Sequence, residues 1–157
     1  MINLRYKPMP SDLAARYRRR EPDAYGLTPE PHVSDGQGMP CRHCLANIAK
    51  GDGYLILAYR PFPELQPYAE TGPIFLHAEQ CEAYAGCEAV PPILTTSKDY
   101  LLRGYSADDR IVYGTGAITP VDGIQAQAAE LLQRPEVAYI HVRSARNNCY
   151  QCRIERA

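Results

Sequence analysis

The chain has 157 residues, which is long enough for an ordinary buried core, so we expect a single domain over residues 1–157. Its 17 Lys and Arg residues against 18 Asp and Glu residues give a formal net charge of −1, which excludes a global positive field that would attract nucleic acid or anionic membranes. The first residues form no apolar signal segment and no later run approaches a membrane span, so we expect a cytoplasmic protein. In that reducing compartment the six cysteines favour metal binding or free thiols over disulfides.

The first predicted elements are a strand, a helix and a loop. Alternating residues at 2–6 predict a short strand, and Ser11 predicts the N-cap of a helix over residues 12–20. Residues 21–39 carry Pro, Gly, Ser and Asp without an apolar period, so we expect a long surface loop there.

Two closely spaced pairs of metal-binding residue types follow this loop. Cys41 and Cys44 form a C-x2-C turn, and His77 and Cys81 lie four positions apart, which places them on one face of a first helical turn. Three thiolates and one imidazole suit a tetrahedral zinc ion, and four protein ligands indicate a structural site rather than a catalytic one. The sequence therefore predicts a structural zinc bound by Cys41, Cys44, His77 and Cys81.

A second C-x2-C pair offers an alternative ligand set. Cys149 and Cys152 together with Cys41 and Cys44 would make an all-thiolate site. We disfavour this set because the last segment is predicted as a strand, in which residues three apart point to opposite faces. A further interpretation is that the cysteines are ordinary buried thiols and that His77 is a core histidine.

The segment between the first two pairs predicts two short strands, at residues 54–59 and 73–76. The first is apolar on both faces, which indicates a buried strand. A knuckle, two strands and a helix that carries the last two ligands is the layout of treble-clef-like zinc modules. We therefore expect residues 41–81 to form a metal-stabilised insertion of this kind.

Several stretches of this region are similar to one bacterial family. They are Pro40–Leu45, Tyr59–Phe62, Pro67–Phe75 and His77–Glu79 followed by Cys81. On these residues the chain resembles the family catalogued as domain of unknown function 1203, whose members have about this length. The resemblance implies a bacterial protein matched over essentially the whole chain, and it brings no activity with it.

The C-terminal half predicts most of the sheet. Residues 100–105 and 111–118 predict a hairpin, and residues 121–132 predict an amphipathic helix with Thr119 as its N-cap. Together with a last hairpin, these elements predict an α+β fold. We expect a mostly antiparallel sheet with one or two packed helices and the zinc-knuckle insertion.

The last hairpin joins predicted strands at residues 137–143 and 149–155. Apolar residues alternate along each strand, so one face of the hairpin is expected to lie on the core, with Cys152 pointing inward. Matching the apolar faces predicts these cross-strand pairs: Val142 with Tyr150, Ile140 with Cys152, Arg143 with Cys149, His141 with Gln151 and Tyr139 with Arg153.

The opposite face of this hairpin carries polar and aromatic side chains. Its candidate binding residues are Tyr139, His141, Arg143, Cys149 and Arg153. A cation at position 143 beside the thiol at 149 would favour a thiolate, and the histidine one rung away would be its base. A solvated sheet face is the simpler interpretation of the same residues.

These patterns favour a small cytoplasmic zinc-stabilised binding module of unknown partner. The 12 tyrosines and the arginine-rich cation set are typical of recognition surfaces. The near-neutral charge makes a protein or a small anionic ligand a better candidate partner than nucleic acid, and no membrane is implied. The alternative is an enzyme that uses Cys149 with His141 and Arg143, or one with an open catalytic metal site.

Overall fold

The computed structural model describes residues 2–85 and 89–157. The chain divides into two compact units, one formed by Met1–Lys7 with Ala85–Ala157 and the other by Pro8–Tyr84. We call them the five-stranded unit and the three-stranded unit, after their sheets. Whether they fold as the single domain expected from the length stays a prediction.

The described residues form ten regular elements. In chain order they are β1 (Leu4–Lys7), α1 (Ser11–Arg18), β2 (Glu30–Val33), β3 (Gly53–Tyr59), β4 (Gly72–His77), β5 (Asp99–Tyr105), β6 (Ala117–Pro120), α2 (Ile124–Leu131), β7 (Tyr139–Ser144) and β8 (Tyr150–Arg156). Two antiparallel sheets with two α-helices make this an α+β fold, as the sequence predicted. Neither helix is long and apolar enough to cross a membrane.

The five-stranded unit has the strand order β1-β8-β7-β5-β6, with every neighbouring pair antiparallel. Helix α2 buries Ile124, Ala128 and Leu131, whose spacing of four and three residues defines a single face. The helix begins later than predicted because Pro120 still belongs to β6 and a 3-10 turn at Val121–Gly123 precedes α2.

The second strand of the predicted hairpin at residues 111–118 is wrong in position. The strand that pairs with β5 is β6, which joins Leu102 to Ala117 and Asp99 to Pro120. Upstream of it the backbone N–H of Gly104 donates to the Thr115 hydroxyl at 2.9 Å. A side chain therefore replaces the backbone acceptor that a longer strand would have supplied.

The predicted register of the last hairpin is also wrong. Strand β7 pairs Ile140 with Ile154 and Val142 with Cys152, and a bulge after Val142 brings Arg143 opposite Tyr150. A shift of two residues keeps every apolar side chain on the same face, so the apolar pattern cannot detect it. The inward orientation of Cys152 is confirmed, because its side chain is fully buried.

The three-stranded unit contains the antiparallel sheet β2-β3-β4. Its central strand is largely buried, as predicted for residues 54–59. Strand β2 lies inside residues 21–39, which the sequence predicted as a loop throughout. All four of its side chains are exposed, so β2 forms by backbone pairing to β3 and leaves no apolar pattern to detect.

Helix α1 buries Ala14 and Tyr17. Its N-cap position is held by Pro10 rather than by the predicted Ser11, which is the first helical residue. The Ser11 hydroxyl lies instead 2.8 Å from Nε2 of His43. This contact connects the start of α1 to the knuckle that contains the first two cysteines.

Candidate metal centre

Four side chains of the three-stranded unit converge on one point: Cys41, Cys44, His77 and Cys81. Their ligand atoms all lie within 4.8 Å of one another. The Sγ atoms of Cys41 and Cys81 are 3.9 Å apart, and Sγ of Cys44 is 3.5 Å from Nδ1 of His77. Zn–S bonds of ~2.3 Å and Zn–N bonds of ~2.0 Å at tetrahedral angles give edges of roughly 3.8 Å and 3.6 Å. The group therefore fits a tetrahedral metal ion, as predicted from the spacing.

The first two ligands are presented by a tight knuckle. The N–H of Leu45 donates to the carbonyl of Cys41 at 3.0 Å, and the N–H of Cys41 donates to the carbonyl of Ala46 at 3.0 Å. Leu45 has a φ of 54°, in the left-handed region that lets the chain reverse so sharply. The knuckle brings both sulfurs to the same side of the turn.

The last two ligands do not lie on a helix, so this feature of the treble-clef-like prediction is wrong. His77 is the final residue of β4 and pairs with Tyr54 of β3, and Cys81 follows in non-helical chain. The sheet register decides this, because pairing to β3 keeps the backbone extended through His77. Four residues of turn and extended chain then return the sulfur of Cys81 to the cluster.

Backbone hydrogen bonds hold this returning segment in place. The N–H of His77 donates to Sγ of Cys41 at 3.4 Å, which ties the end of β4 to the knuckle. Further along, the N–H of Tyr84 donates to the carbonyl of His43 at 3.0 Å. Cys81 lies between these two attachments.

A second layer of polar side chains surrounds Cys81. Nη2 of Arg18 donates to its Sγ at 3.0 Å, and Nε of Arg18 donates to the carbonyl of His77 at 3.0 Å. Nδ1 of His43 lies 3.3 Å from the same sulfur, and its Nε2 contacts Ser11. A metal-bound thiolate can only accept, so with a metal at this site Nδ1 would carry the proton and Nε2 would accept from the Ser11 hydroxyl.

These outer residues were not predicted as part of the site. His43 stands inside the Cys-x2-Cys turn, which is the one sequence signal that it lies near the ligands. Arg18 is one of several arginines at the end of α1, where a favourable interaction with the helix dipole explains the pattern equally well. Only the fold brings α1 against Cys81.

The three thiols of the cluster differ in pKa because they hydrogen-bond to one another. Hydrogen bonds from Cys44 and then Cys81 lower the pKa of Cys41 far below that of an ordinary thiol. The same hydrogen bonds to Cys41 raise the pKa of Cys44 and of Cys81. Burial and then the charge of Arg18 lower the pKa of His43. A cation that binds here displaces the remaining thiol protons.

The alternative all-thiolate set is not the group that the described residues form. The converging group contains neither Cys149 nor Cys152, both of which belong to the five-stranded unit. Cys152 is buried beside Val142 in that unit, and the thiol of Cys149 donates to the carbonyl of Asn147 at 3.7 Å. Cys87 lies outside the described residues.

Two clefts border the cluster on the side of Cys81. One has a volume of about 920 Å³ and is lined by α1 residues together with His43 and Cys81. The other, of about 320 Å³, is lined by His77, Cys81 and the turn at residues 51–53. Among the described residues, neither Cys41 nor Cys44 contributes to the wall of either cleft.

The candidate binding residues of the last hairpin lie in a different environment from the predicted solvated face. Tyr139, His141 and Arg143 are buried, whereas Cys149 and Arg153 are partly exposed. The corrected register places Arg143 opposite Tyr150 and not opposite Cys149. The catalytic alternative loses the cross-strand pair on which it was based. A binding role for these five residues stays a prediction.

His141 lies in an aromatic cluster that the sequence did not predict. Its ring centroid is 4.7 Å from that of Tyr105, 5.1 Å from that of Tyr139 and 4.9 Å from that of Tyr150. Burial lowers the pKa of His141 well below its ordinary value, and arginines 143, 153 and 103 lower it further. Burial also raises the pKa of Tyr139, whose hydroxyl donates to Asp109 at 2.8 Å.

Comparison with known proteins identifies the family. The sequence profile described as "Protein of unknown function (DUF1203)" matches residues 38–156, so the chain belongs to this family. The match includes all four residues of the candidate metal centre. No curated protein and no solved structure matched the chain.

Proposed function

From its place in the DUF1203 family and the geometry of its Cys/His cluster, we propose that this protein is a zinc-stabilised binding module of the bacterial cytoplasm. The convergence of Cys41, Cys44, His77 and Cys81 on one point is the observation that carries the proposal. The five described cysteines are all free thiols, which is consistent with a reducing compartment.

The chemistry of the donor set supports zinc over other cations. Thiolate and imidazole are soft and borderline ligands, whereas magnesium, calcium and manganese prefer oxygen. The two measured edges of 3.9 Å and 3.5 Å match a tetrahedron of this size. When bound, zinc would supply a cross-link between the knuckle and the end of β4.

The four ligands favour a structural role. A catalytic zinc usually keeps one position for water or substrate, whereas the four converging side chains would fill all four positions of a tetrahedral ion. The candidate ligands Cys41 and His77 are 36 positions apart in the chain. Closing so long a loop makes the metal a contributor to folding rather than to a reaction.

A groove in the same unit is our proposed contact region. This proline–arginine cleft has a volume of about 530 Å³, and its defining residues are Pro10, Arg16, Tyr17, Pro22, Arg60 and Pro63. Asp12 and Asp23 also line it, and the carboxylate of Asp23 accepts from the backbone N–H groups of Tyr25, Leu27 and Ala58. Arg16 already bonds to Glu21, and Arg60 donates to the carbonyls of Phe62 and Pro63. A guanidinium has five N–H donors, so both groups keep donors for an acidic side chain of an extended segment that packs on the rigid prolines.

The metal part of the proposal is tested by elemental analysis of the purified full-length chain. We expect one zinc per chain, lost together with folded structure on treatment with a strong chelator. A well-folded protein without metal would overturn the proposal. If zinc remained bound in Cys41→Ser but were lost in Cys149→Ser, the ligand set proposed here would be wrong.

The binding part is tested separately with a glutamate hexapeptide as probe. We expect binding by calorimetry that is lost in Arg16→Glu and Arg60→Glu but kept in Arg134→Glu, an exposed arginine of the five-stranded unit that pairs with Glu136. Equal binding by all three variants would remove the proline–arginine cleft from the proposal. Binding of inorganic phosphate but not of the peptide would replace the protein segment by a small anion.

A further inference from the structure

We propose that Cys81 is an oxidation site, at which peroxide converts the metal centre into a Cys41–Cys81 disulfide and so releases the metal. The inference rests on the proposed zinc site and adds a modification chemistry to it. It comes from three properties of Cys81: access, hydrogen bonding and the position of a second thiol.

Cys81 is the thiol of the group that lines the two clefts described above. It lines both the cleft of about 920 Å³ and that of about 320 Å³, so a small oxidant in either cleft meets its sulfur. Cys41 is fully buried. Cys44 is partly exposed like Cys81 but lines neither cleft, so the clefts lead an incoming peroxide to Cys81.

Two hydrogen-bond donors hold the sulfur of Cys81 in a fixed orientation. Arg18 and His43 both lie within hydrogen-bond distance of Sγ, at 3.0 Å and 3.3 Å. With a metal ion bound, Cys81 would be a thiolate, and these two donors would fix the orientation of its sulfur. The same N–H groups are placed to donate to the oxygen of an oxidised Cys81 sulfur.

Cys41 is positioned to complete the reaction. Its sulfur lies 3.9 Å from that of Cys81, and a disulfide requires ~2.0 Å, so an approach of about 2 Å suffices. The backbone of Cys41 itself makes two hydrogen bonds in the knuckle, whereas the bonds that hold the Cys81 segment lie at His77, Ala78 and Tyr84. The approach is therefore made by the Cys81 segment.

The chemistry balances with hydrogen peroxide as the oxidant. The Cys81 thiolate attacks one peroxide oxygen, an S–O bond forms as the O–O bond breaks, and hydroxide leaves to give the sulfenic acid. The Cys41 thiolate then attacks the Cys81 sulfur, an S–S bond forms as the S–O bond breaks, and hydroxide leaves. Two protons convert both hydroxides to water. The thiolates lose two electrons, and the peroxide gains them.

The consequence for the metal follows from ligand loss. A disulfide between Cys41 and Cys81 removes half of the four ligands, which leaves only Cys44 and His77. Two ligands cannot retain zinc against a chelator that four ligands resist. A dithiol reductant restores both thiolates, so the oxidation is reversible.

The test uses the zinc-loaded full-length chain, hydrogen peroxide and a chromogenic zinc chelator, with disulfides mapped by mass spectrometry at each time. We expect zinc release to coincide with a Cys41–Cys81 disulfide and to be reversed by a dithiol reductant. Cys149→Ser should release zinc as the wild type does. Cys81→His keeps a zinc ligand but removes the attacked sulfur, and it should keep its zinc over the same interval.

Each other result overturns the inference in a recognisable way. If the first disulfide joined Cys41 to Cys44, a thiol other than Cys81 would be the one that peroxide oxidises. If zinc were retained and the thiols stayed unmodified, the proposed reaction would not occur. The disulfides mapped in the wild-type protein test the inference by themselves, so the test does not depend on whether Cys81→His folds. Zinc content is measured in the reduced protein before peroxide is added. If no zinc is found at that point, the proposed function is wrong, and this outcome is distinct from a failure of the oxidation proposal.

Discussion

The guanidinium of Arg18 reaches Sγ of Cys81, 63 positions later in the chain, at 3.0 Å. Its Nε also donates to the carbonyl of His77 at 3.0 Å, so one side chain contacts two residues that carry ligands. With a divalent cation bound, three thiolates would leave a net negative charge for the guanidinium to compensate. Residues in this position orient metal ligands and tune metal affinity.

Arg18→Met should weaken zinc binding by roughly 10–100-fold, as is typical of outer residues around metal sites. Competition with a chelator of known affinity measures the change, and cobalt substitution reports a shifted thiolate-to-metal band. Arg18→Lys should recover part of the affinity because it keeps the charge but loses the second hydrogen bond.

Arg19→Met is the matched control for this prediction. Arg19 lies at the same end of α1 but pairs with Glu21 at 2.6 Å, so its loss should leave zinc affinity unchanged. Equal weakening in both variants would mean that general charge, and not the contact with Cys81, sets the affinity.

Cys44→Ser should lose zinc and unfold the three-stranded unit. A serine hydroxyl is a poor zinc ligand, and metal binding here contributes to folding because the ligands join distant segments. Circular dichroism and metal content would measure the effect. Cys149→Ser, which alters a partly exposed thiol outside the cluster, should keep both the metal and the fold.

Burial of His141 predicts a loss of stability at acid pH. Its pKa is well below the ordinary value in the folded chain, so below about pH 6.5 the unfolded state takes up a proton that the folded state does not. Above that pH His141 does not affect stability. As the pH falls below it, the free energy of unfolding decreases by up to about 1.4 kcal/mol per pH unit. Arginines 103, 143 and 153 add to the effect.

Urea unfolding at pH 7.5 and 5.5 measures this loss, with tyrosine fluorescence as the signal. His141→Phe keeps an aromatic ring among the three tyrosines but cannot be protonated, so its stability should change less between the two pH values. If the pH dependence of this variant were unchanged, other groups would cause the acid sensitivity, and the thiols of the candidate metal centre would be tested next.

Gly104→Ala should destabilise the protein by about 1–3 kcal/mol through overpacking. A Cβ at this position would lie 3.1 Å from the Thr115 hydroxyl oxygen and 3.1 Å from a Val137 methyl group. Thermal unfolding measures the loss. Gly116→Ala is the control, because a Cβ there meets nothing within 4 Å and the stability should stay close to that of the wild type.

Local spacing was sufficient to predict which four side chains converge in the candidate metal centre. Two pairs of ligand residues with short separations can each converge locally, so Cys41, Cys44, His77 and Cys81 were recognisable without coordinates. The apolar run of β3 and the inward side of Cys152 were predictable for the same reason, since each depends on near neighbours in the chain.

The helix expected at His77 illustrates where local information ended. A spacing of four suits a helical turn, but pairing with Tyr54 keeps the backbone of His77 extended. Strand β2 was missed because its side chains are all exposed and its pairing is made by the backbone. Both outcomes depend on strands from elsewhere in the chain.

The sequence by itself determined which residues have the chemistry to bind a metal and which side chains must be buried, because ligand type and apolar period are local properties. Only the tertiary structure decided the register of β7 on β8, since a two-residue shift preserves every apolar face. It alone also placed Ser11, Arg18 and His43 around Cys81. Contacts across so many positions depend on how whole elements pack, which no local pattern encodes.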